Sequence, residues 1–288
     1  MFGHRSDGKR AKNVMPMFRV IPSIMIDRAD SQVYFKQDIV IEGMDEYINK
    51  KLEEGIKISY MNIIYAALIR IIAEKPNLNR FVMHGTLYER NKIFVSLAIK
   101  KSLDEGMPET VIKLPFDGNE NIFEIKEKLD NAIDINKKLE TENDTDKLIR
   151  WFNLIPDSLI RITVRFLNFL DKHGLMPKRI IAASPFHTSI FLTNVGSLGI
   201  DSIYHHIYNF GTTSLFFAMG KKKKSYVYEN EEIRQEKCIN IAFVGDERIC
   251  DGYYFASSFK QLCKYLKNPE LLESKELKNK EEKNNWLL

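Results

Sequence analysis

A short apolar run, Ile239 to Val244, leads into Asp246-Glu247-Arg248-Ile249-Cys250-Asp251-Gly252 and then into a helical pattern over 255–266 that stops before Asn268-Pro269. Continuous apolar character over so few residues predicts a buried strand. A strand of that kind needs a sheet with covered faces, and the strand–loop–helix unit places its ionisable loop at one end of that sheet. The seven loop residues hold four charged side chains, so the loop is the first place to look for chemistry.

The rest of the chain supplies the sheet and its cover. Val33 to Ile41, 80–83, 86–89, Lys92 to Lys100, Thr110 to Leu114, Ser189 to Thr193 and Thr213 to Met219 carry the β-branched and aromatic residues of strands. His84-Gly85 fits a hairpin turn, and Lys221 to Lys224 fits a hairpin loop leading into Tyr226 to Tyr228. Met44, Tyr47, Ile48 and Leu52 share one helical face. Ser59 suits the N-cap of a core helix that runs to Lys75 and ends at Pro76. Residues 121–139 form an amphipathic helix, and 140–148 read as a polar loop. Trp151 to Gly174 is strongly apolar yet interrupted by Arg161, Arg165 and Lys172. It reads either as a helix packed on the core or at a subunit contact, or as a surface helix in weak contact with a membrane through 151–170.

A net charge of +4 over 288 residues is modest. Much of it sits in residues 1–14, where Arg5, Lys9, Arg10 and Lys12 face Asp7. This predicts a basic, solvated arm rather than a nucleic-acid surface. One domain over 15–270 follows, then a charged tail over 271–288. Three scattered cysteines, Cys238, Cys250 and Cys263, fit neither a disulfide framework nor a zinc site. With no apolar leader segment, a reducing cytoplasm is the expected setting.

The loop resembles the Asp-His-Arg-x-x-Asp-Gly signature of the chloramphenicol acetyltransferase-like superfamily, above all the catalytic domain of the 2-oxoacid dehydrogenase acyltransferase component. Ser189 to Gly199 resembles that component's Thr-x-Ser-Asn-x-Gly-Ser-x-Gly pattern. Ala218-Met219-Gly220-Lys221 ends the strand placed next, and Pro76-Asn77-Leu78-Asn79 resembles the Pro-x-Leu-Asn after the core helix. The resemblance spans about residues 30–270, in order. It implies an α/β two-layer sandwich with a mixed sheet, assembled as a homotrimer with active sites between subunits. Coenzyme A or acyl-CoA would be the co-substrate, a small molecule the acceptor, and no metal would take part. Thr193 aligns with the hydroxyl that stabilises the tetrahedral oxyanion. Asp251 aligns with a mostly structural loop residue for which an arginine partner is plausible.

Three departures accompany it. Glu247 stands where the signature has histidine. No lipoyl or subunit-binding domain is expected ahead of the catalytic region. Trp151 to Lys178 is longer and more apolar than its counterpart. An ordinary glutamate is a weaker base than histidine by about 2 pKa units, a gap that burial narrows. Glu247 is therefore a candidate base, or a loop residue in a site that has lost its chemistry. His205 and His206, between the Thr193 strand and the next, are the alternative proton acceptors, and His187 lies just before the Thr193 strand. As neighbours on a strand, His205 and His206 would point to opposite faces, which argues against a metal site. Lys221 and Lys222 are candidates for the phosphates of coenzyme A.

Overall fold

The computed structural model describes residues 5–12, 14–101, 109–138, 141–229 and 231–275. In chain order the elements are β1 (Gly8–Arg10), α1 (Pro16–Ile24), β2 (Gln32–Val40), α2 (Glu42–Glu53), α3 (Tyr60–Glu74), β3 (Arg80–Met83), β4 (Thr86–Arg90), β5 (Ile93–Lys100) and β6 (Glu109–Phe116). Then come α4 (Ile122–Lys137), α5 (Asp144–Phe152), α6 (Asp157–Lys172), α7 (Lys178–Ala183), β7 (Ile190–Asn194), β8 (Leu215–Glu229), β9 (Glu232–Asp246) and α8 (Gly252–Lys267).

Six strands form a mixed sheet in the order β2-β9-β8-β7-β5-β6, with β7 parallel to both its neighbours and the other pairs antiparallel. Register and the two-residue side-chain period sort its faces. Phe35, Phe243, Phe217, Leu192, Leu97 and Ile112 lie in one row across all six strands and point into the main core. The next row, Tyr34, Val244, Phe216, Phe191, Ser96 and Lys113, points the other way. The core face is covered by α3, α4 and α8. Ile63, Ile64, Ala67, Leu68, Ile71 and Ile72 of α3 are buried there. Ser59 caps that helix by accepting from the Asn62 N–H, and Lys75 ends it ahead of Pro76. A smaller sheet, β1-β4-β3, sits beside the large one, and its His84-Gly85 turn has positive φ at both residues.

The opposite face is covered by irregular chain over 199–213 and by α7, against which the Ser96 hydroxyl donates to the Pro185 carbonyl and the Lys113 ammonium to those of Ile181 and Ser184. The covering chain crosses close to the sheet. A Cβ at Gly220 would overlap the Ser202 amide, and one at Gly196 would overlap the Gly220 carbonyl, so both crossings require glycine.

Four local expectations are corrected. Residues 5–12 are an ordered part of the fold and not a free arm: β1 pairs with β4 and the Arg5 side chain is 1 % exposed, while Lys9, Arg10 and Lys12 stay exposed. The polar stretch expected as a loop over 140–148 instead starts α5. Asn143 and Asp146 bond reciprocally to each other's backbone N–H, so the same polar residues that suit a loop serve as a cap. Lys221 to Lys224 lie within β8, which continues with β9 as a two-stranded ribbon beyond the ends of β2 and β7. Both faces of such a ribbon meet water, so polar residues suit it. Within the expected tail, Leu272 is buried and Glu273 pairs with Lys51 at 3.0 Å, whereas 276–288 fall outside the described residues.

Phe217 sits at the middle of the inward row and is fully buried. Phe217→Ala is expected to lower unfolding free energy by about 3–5 kcal/mol, read as a reduced urea midpoint at unchanged m-value.

Candidate active site

β9 ends on Asp246, whose carboxylate is fully buried and held in a fork by Arg248, Nε to Oδ1 at 2.8 Å and Nη2 to Oδ2 at 2.7 Å. Arg248 Nη1 also donates to the Met25 and Ile26 carbonyls, tying the loop to the end of α1. Arg28 lies 4.0 Å from the same carboxylate and donates to the carbonyls of Asn209 and Val82. On this frame the Glu247 amide donates to the Ser31 carbonyl at 2.8 Å, and its side chain is half-buried at the sheet end. Asp251 is exposed and caps α8, accepting from the Tyr254 N–H at 2.7 Å. The arginine partner expected for Asp251 goes to Asp246 instead. Burial pushes the Cys250 thiol well above its ordinary range, which leaves it a poor nucleophile.

Thr193 projects from the outer face, level with Ala218 and Ala242 on the two neighbouring strands, and is half-buried. Glu247 lies five residues further along β9 than Ala242. The strand rise puts about 17 Å along the sheet, and two strand spacings put about 10 Å across it, between Thr193 and Glu247. Within one chain these two groups cannot act on the same atoms.

His205 and His206 lie in irregular chain and not on a strand. His205 stacks on Phe216, ring centroids 4.4 Å apart, and its Nε2 is buried without a hydrogen-bond partner among the described residues. Burial, with a smaller contribution from His206, pushes the His205 pKa down. The ring is therefore neutral near pH 7, with one nitrogen unengaged. His206 is exposed, edge-on to Tyr208. Lys221 is exposed, while Lys222 places its ammonium 4.5 Å from the centre of the Tyr60 ring. Among the described residues no group of three or more His, Cys, Asp or Glu side chains could hold a metal ion.

Residues 183–273 match the family model of the 2-oxoacid dehydrogenases acyltransferase (catalytic domain). The chain has the chloramphenicol acetyltransferase-like fold. A probable dihydrolipoamide acetyltransferase from Listeria monocytogenes superposes with a TM-score of 0.55 at 16 % identity, over 94 % of this chain and 98 % of that one. A chloramphenicol acetyltransferase gives 0.54 at 12 %, over 90 % and 99 %. The dihydrolipoamide acetyltransferase of Azotobacter vinelandii gives 0.54 at 12 %, over 91 % and 94 %. No curated protein matches the chain.

The fold also holds a buried polar network that the sequence does not announce. Asp171, on α6, accepts from His187 Nε2 at 3.0 Å and pairs with Arg5 at 2.7 Å, while the Ser184 hydroxyl lies 2.8 Å from His187 Nδ1. Neutral His187 with its proton on Nε2 satisfies both contacts. Burial dominates for His187 and pushes its pKa down. Burial pushes the Asp171 carboxyl up, but the His187 hydrogen bond and the Arg5 charge outweigh it, leaving Asp171 below the usual carboxylate range.

Both shifts have the same consequence. The unfolded chain takes up a proton at residue 187 near pH 6.5 while the folded chain does not, and Asp171 behaves likewise in the carboxylate range. Stability is complete above about pH 6.5 and declines on acidification. The urea midpoint is expected to fall between pH 7 and 5, and to fall less over that window in His187→Gln.

Proposed function

We propose that the protein is an acyltransferase that moves an acyl group from coenzyme A to a small acceptor, in a homotrimer whose active sites lie between subunits. The observation that carries this reading is the placement of Thr193 and Glu247, both partly open to solvent on one fold and too far apart to meet within one chain. A neighbouring copy supplies the missing half. In the Azotobacter relative, a histidine and an asparagine with roles in the catalytic mechanism stand four positions apart. Glu247 and Asp251 have that spacing here and follow the strand that ends on the forked Asp246. In this reading the Thr193 hydroxyl donates to the oxyanion of the tetrahedral intermediate. Glu247 removes the acceptor's proton as the acceptor attacks the thioester carbonyl, and coenzyme A leaves as the thiol. His205, neutral and with a free nitrogen, is the other proton acceptor, and Asp251 holds the loop through its cap. Lys221 and Lys222 lie near the ribbon base as candidates for the cofactor's phosphates. The setting is cytoplasmic, and the exposed apolar face of 151–170 allows weak contact with a membrane surface.

A second reading is favoured by the glutamate itself: a relative that keeps the fold and the trimer as a ligand-binding or scaffold protein. Titration with acetyl-CoA, with thiol release followed in the same samples, separates the two. Acyl transfer is expected to release thiol, with turnover falling at least about tenfold in Thr193→Ala. Loss in Glu247→Gln marks the base, whereas unchanged turnover there moves the role to His205. Binding without release supports the non-catalytic relative.

A further inference from the structure

Four buried guanidiniums, on Arg5, Arg28, Arg90 and Arg248, face three buried carboxylates, on Asp7, Asp171 and Asp246. The carboxylates are committed elsewhere: Arg5 forks Asp7 and pairs with Asp171, and Arg248 forks Asp246. Arg28 and Arg90 are left, each 4.0 Å from a carboxylate already engaged, and among the described residues the buried Nε of Arg28 has no hydrogen-bond partner. A guanidinium withdrawn from water without a matching anion carries a desolvation cost that only an opposite charge offsets.

Arg28 lines a cavity of about 400 Å³ between the end of α1, the β3–β4 turn and α6. Lys172, Asn168, Asn209 and Arg248 also line it, with Asp27 as the acidic member. Arg161, Arg165, Asn168 and Lys172 follow one stripe of α6, four, three and four residues apart. Among the described residues Arg161, Arg165 and Lys172 form no ion pair, and the stripe runs into the cavity at its last two members. Unpaired cations thus lead from solvent to a buried cation short of an anion. The volume suits a phosphate together with the group that carries it.

We infer that this cavity is an oxyanion site for a phosphorylated ligand, with Lys172, Asn168 and Asn209 donating to the phosphate and Arg28 supplying the buried charge. It includes neither Thr193 nor Glu247, so it stands or falls apart from acyl transfer. The phosphate belongs either to a small free compound or to a lipid headgroup. The second source has a physical basis in Leu159, Ile162, Phe166 and Phe169, exposed along α6 beside the basic stripe.

The test uses the full chain with inorganic phosphate as the probe, and chloride at equal ionic strength as the control. Phosphate is expected to raise the melting temperature beyond chloride in a concentration-dependent way. Lys172→Glu, an exposed change that leaves the fold intact, is expected to weaken phosphate binding at least about tenfold. Equal shifts with phosphate and chloride, or equal responses of wild type and Lys172→Glu, overturn the inference. Vesicles of phosphatidylcholine with and without phosphatidic acid then identify the source. Sedimentation with phosphatidic acid vesicles that is lost in both Lys172→Glu and Phe166→Ser assigns the site to a headgroup. Phosphate binding without vesicle sedimentation assigns it to a free compound.

Discussion

The fork between Arg248 and Asp246 is the interaction on which the functional end of the molecule depends. Two short, charge-assisted bonds lock a fully buried carboxylate at the point where β9 leaves the sheet. The third arm of the guanidinium reaches back to the Met25 and Ile26 carbonyls, so the same residue sets the loop and the end of α1. Removing one partner from such a buried pair costs roughly 3–5 kcal/mol, because it strands a charge. Glu247 sits between these two residues. Its backbone is fixed by the fork and by Ser31, while its side chain remains half open. The loop thus has flanking residues that hold its geometry and a central side chain that takes no part in holding it.

Much of the architecture was legible because core-facing elements carry strong periodic signals. The α3 stripe from Ile63 to Ile72, the Ser59 cap and the His84-Gly85 turn all lie where local chemistry admits few alternatives. What escaped was set by distant partners or by polar residues that serve two conformations equally well. Asn143 and Asp146 look like loop residues until they are seen bonding each other's backbone. Lys221 to Lys224 read as a turn because a run of four lysines has no apolar alternation to announce a strand, and their pairing is set by β9. Arg5 read as part of a solvated arm because nothing in its neighbourhood in sequence reveals Asp171, 166 positions away.

The site shows the same division. The run from Asp246 to Gly252 was visible as a unit, but the exchange of roles within it was not: the first aspartate takes the arginines and the second caps a helix. The free nitrogen of His205 was hidden as well, since it results from the ring stacking on Phe216 away from polar partners. The distance between Thr193 and Glu247 follows from strand register alone. It limits the chemistry more than the identity of either residue does, since any reaction using both must draw them from different chains.

The Arg5 contacts also bear on how the chain is made. Arg5 leaves the ribosome well before its partner on α6, Asp171, which follows 166 positions later. Arg28 waits longer still for Asp246. Until α6 and then β9 have been synthesised, Arg5 and Arg28 lack the carboxylates of Asp171 and Asp246. The edge of the large sheet has the same property, because among the described residues β2 pairs only with β9. The β2 edge of the sheet therefore closes late, as expected for a pairing between strands far apart in the sequence.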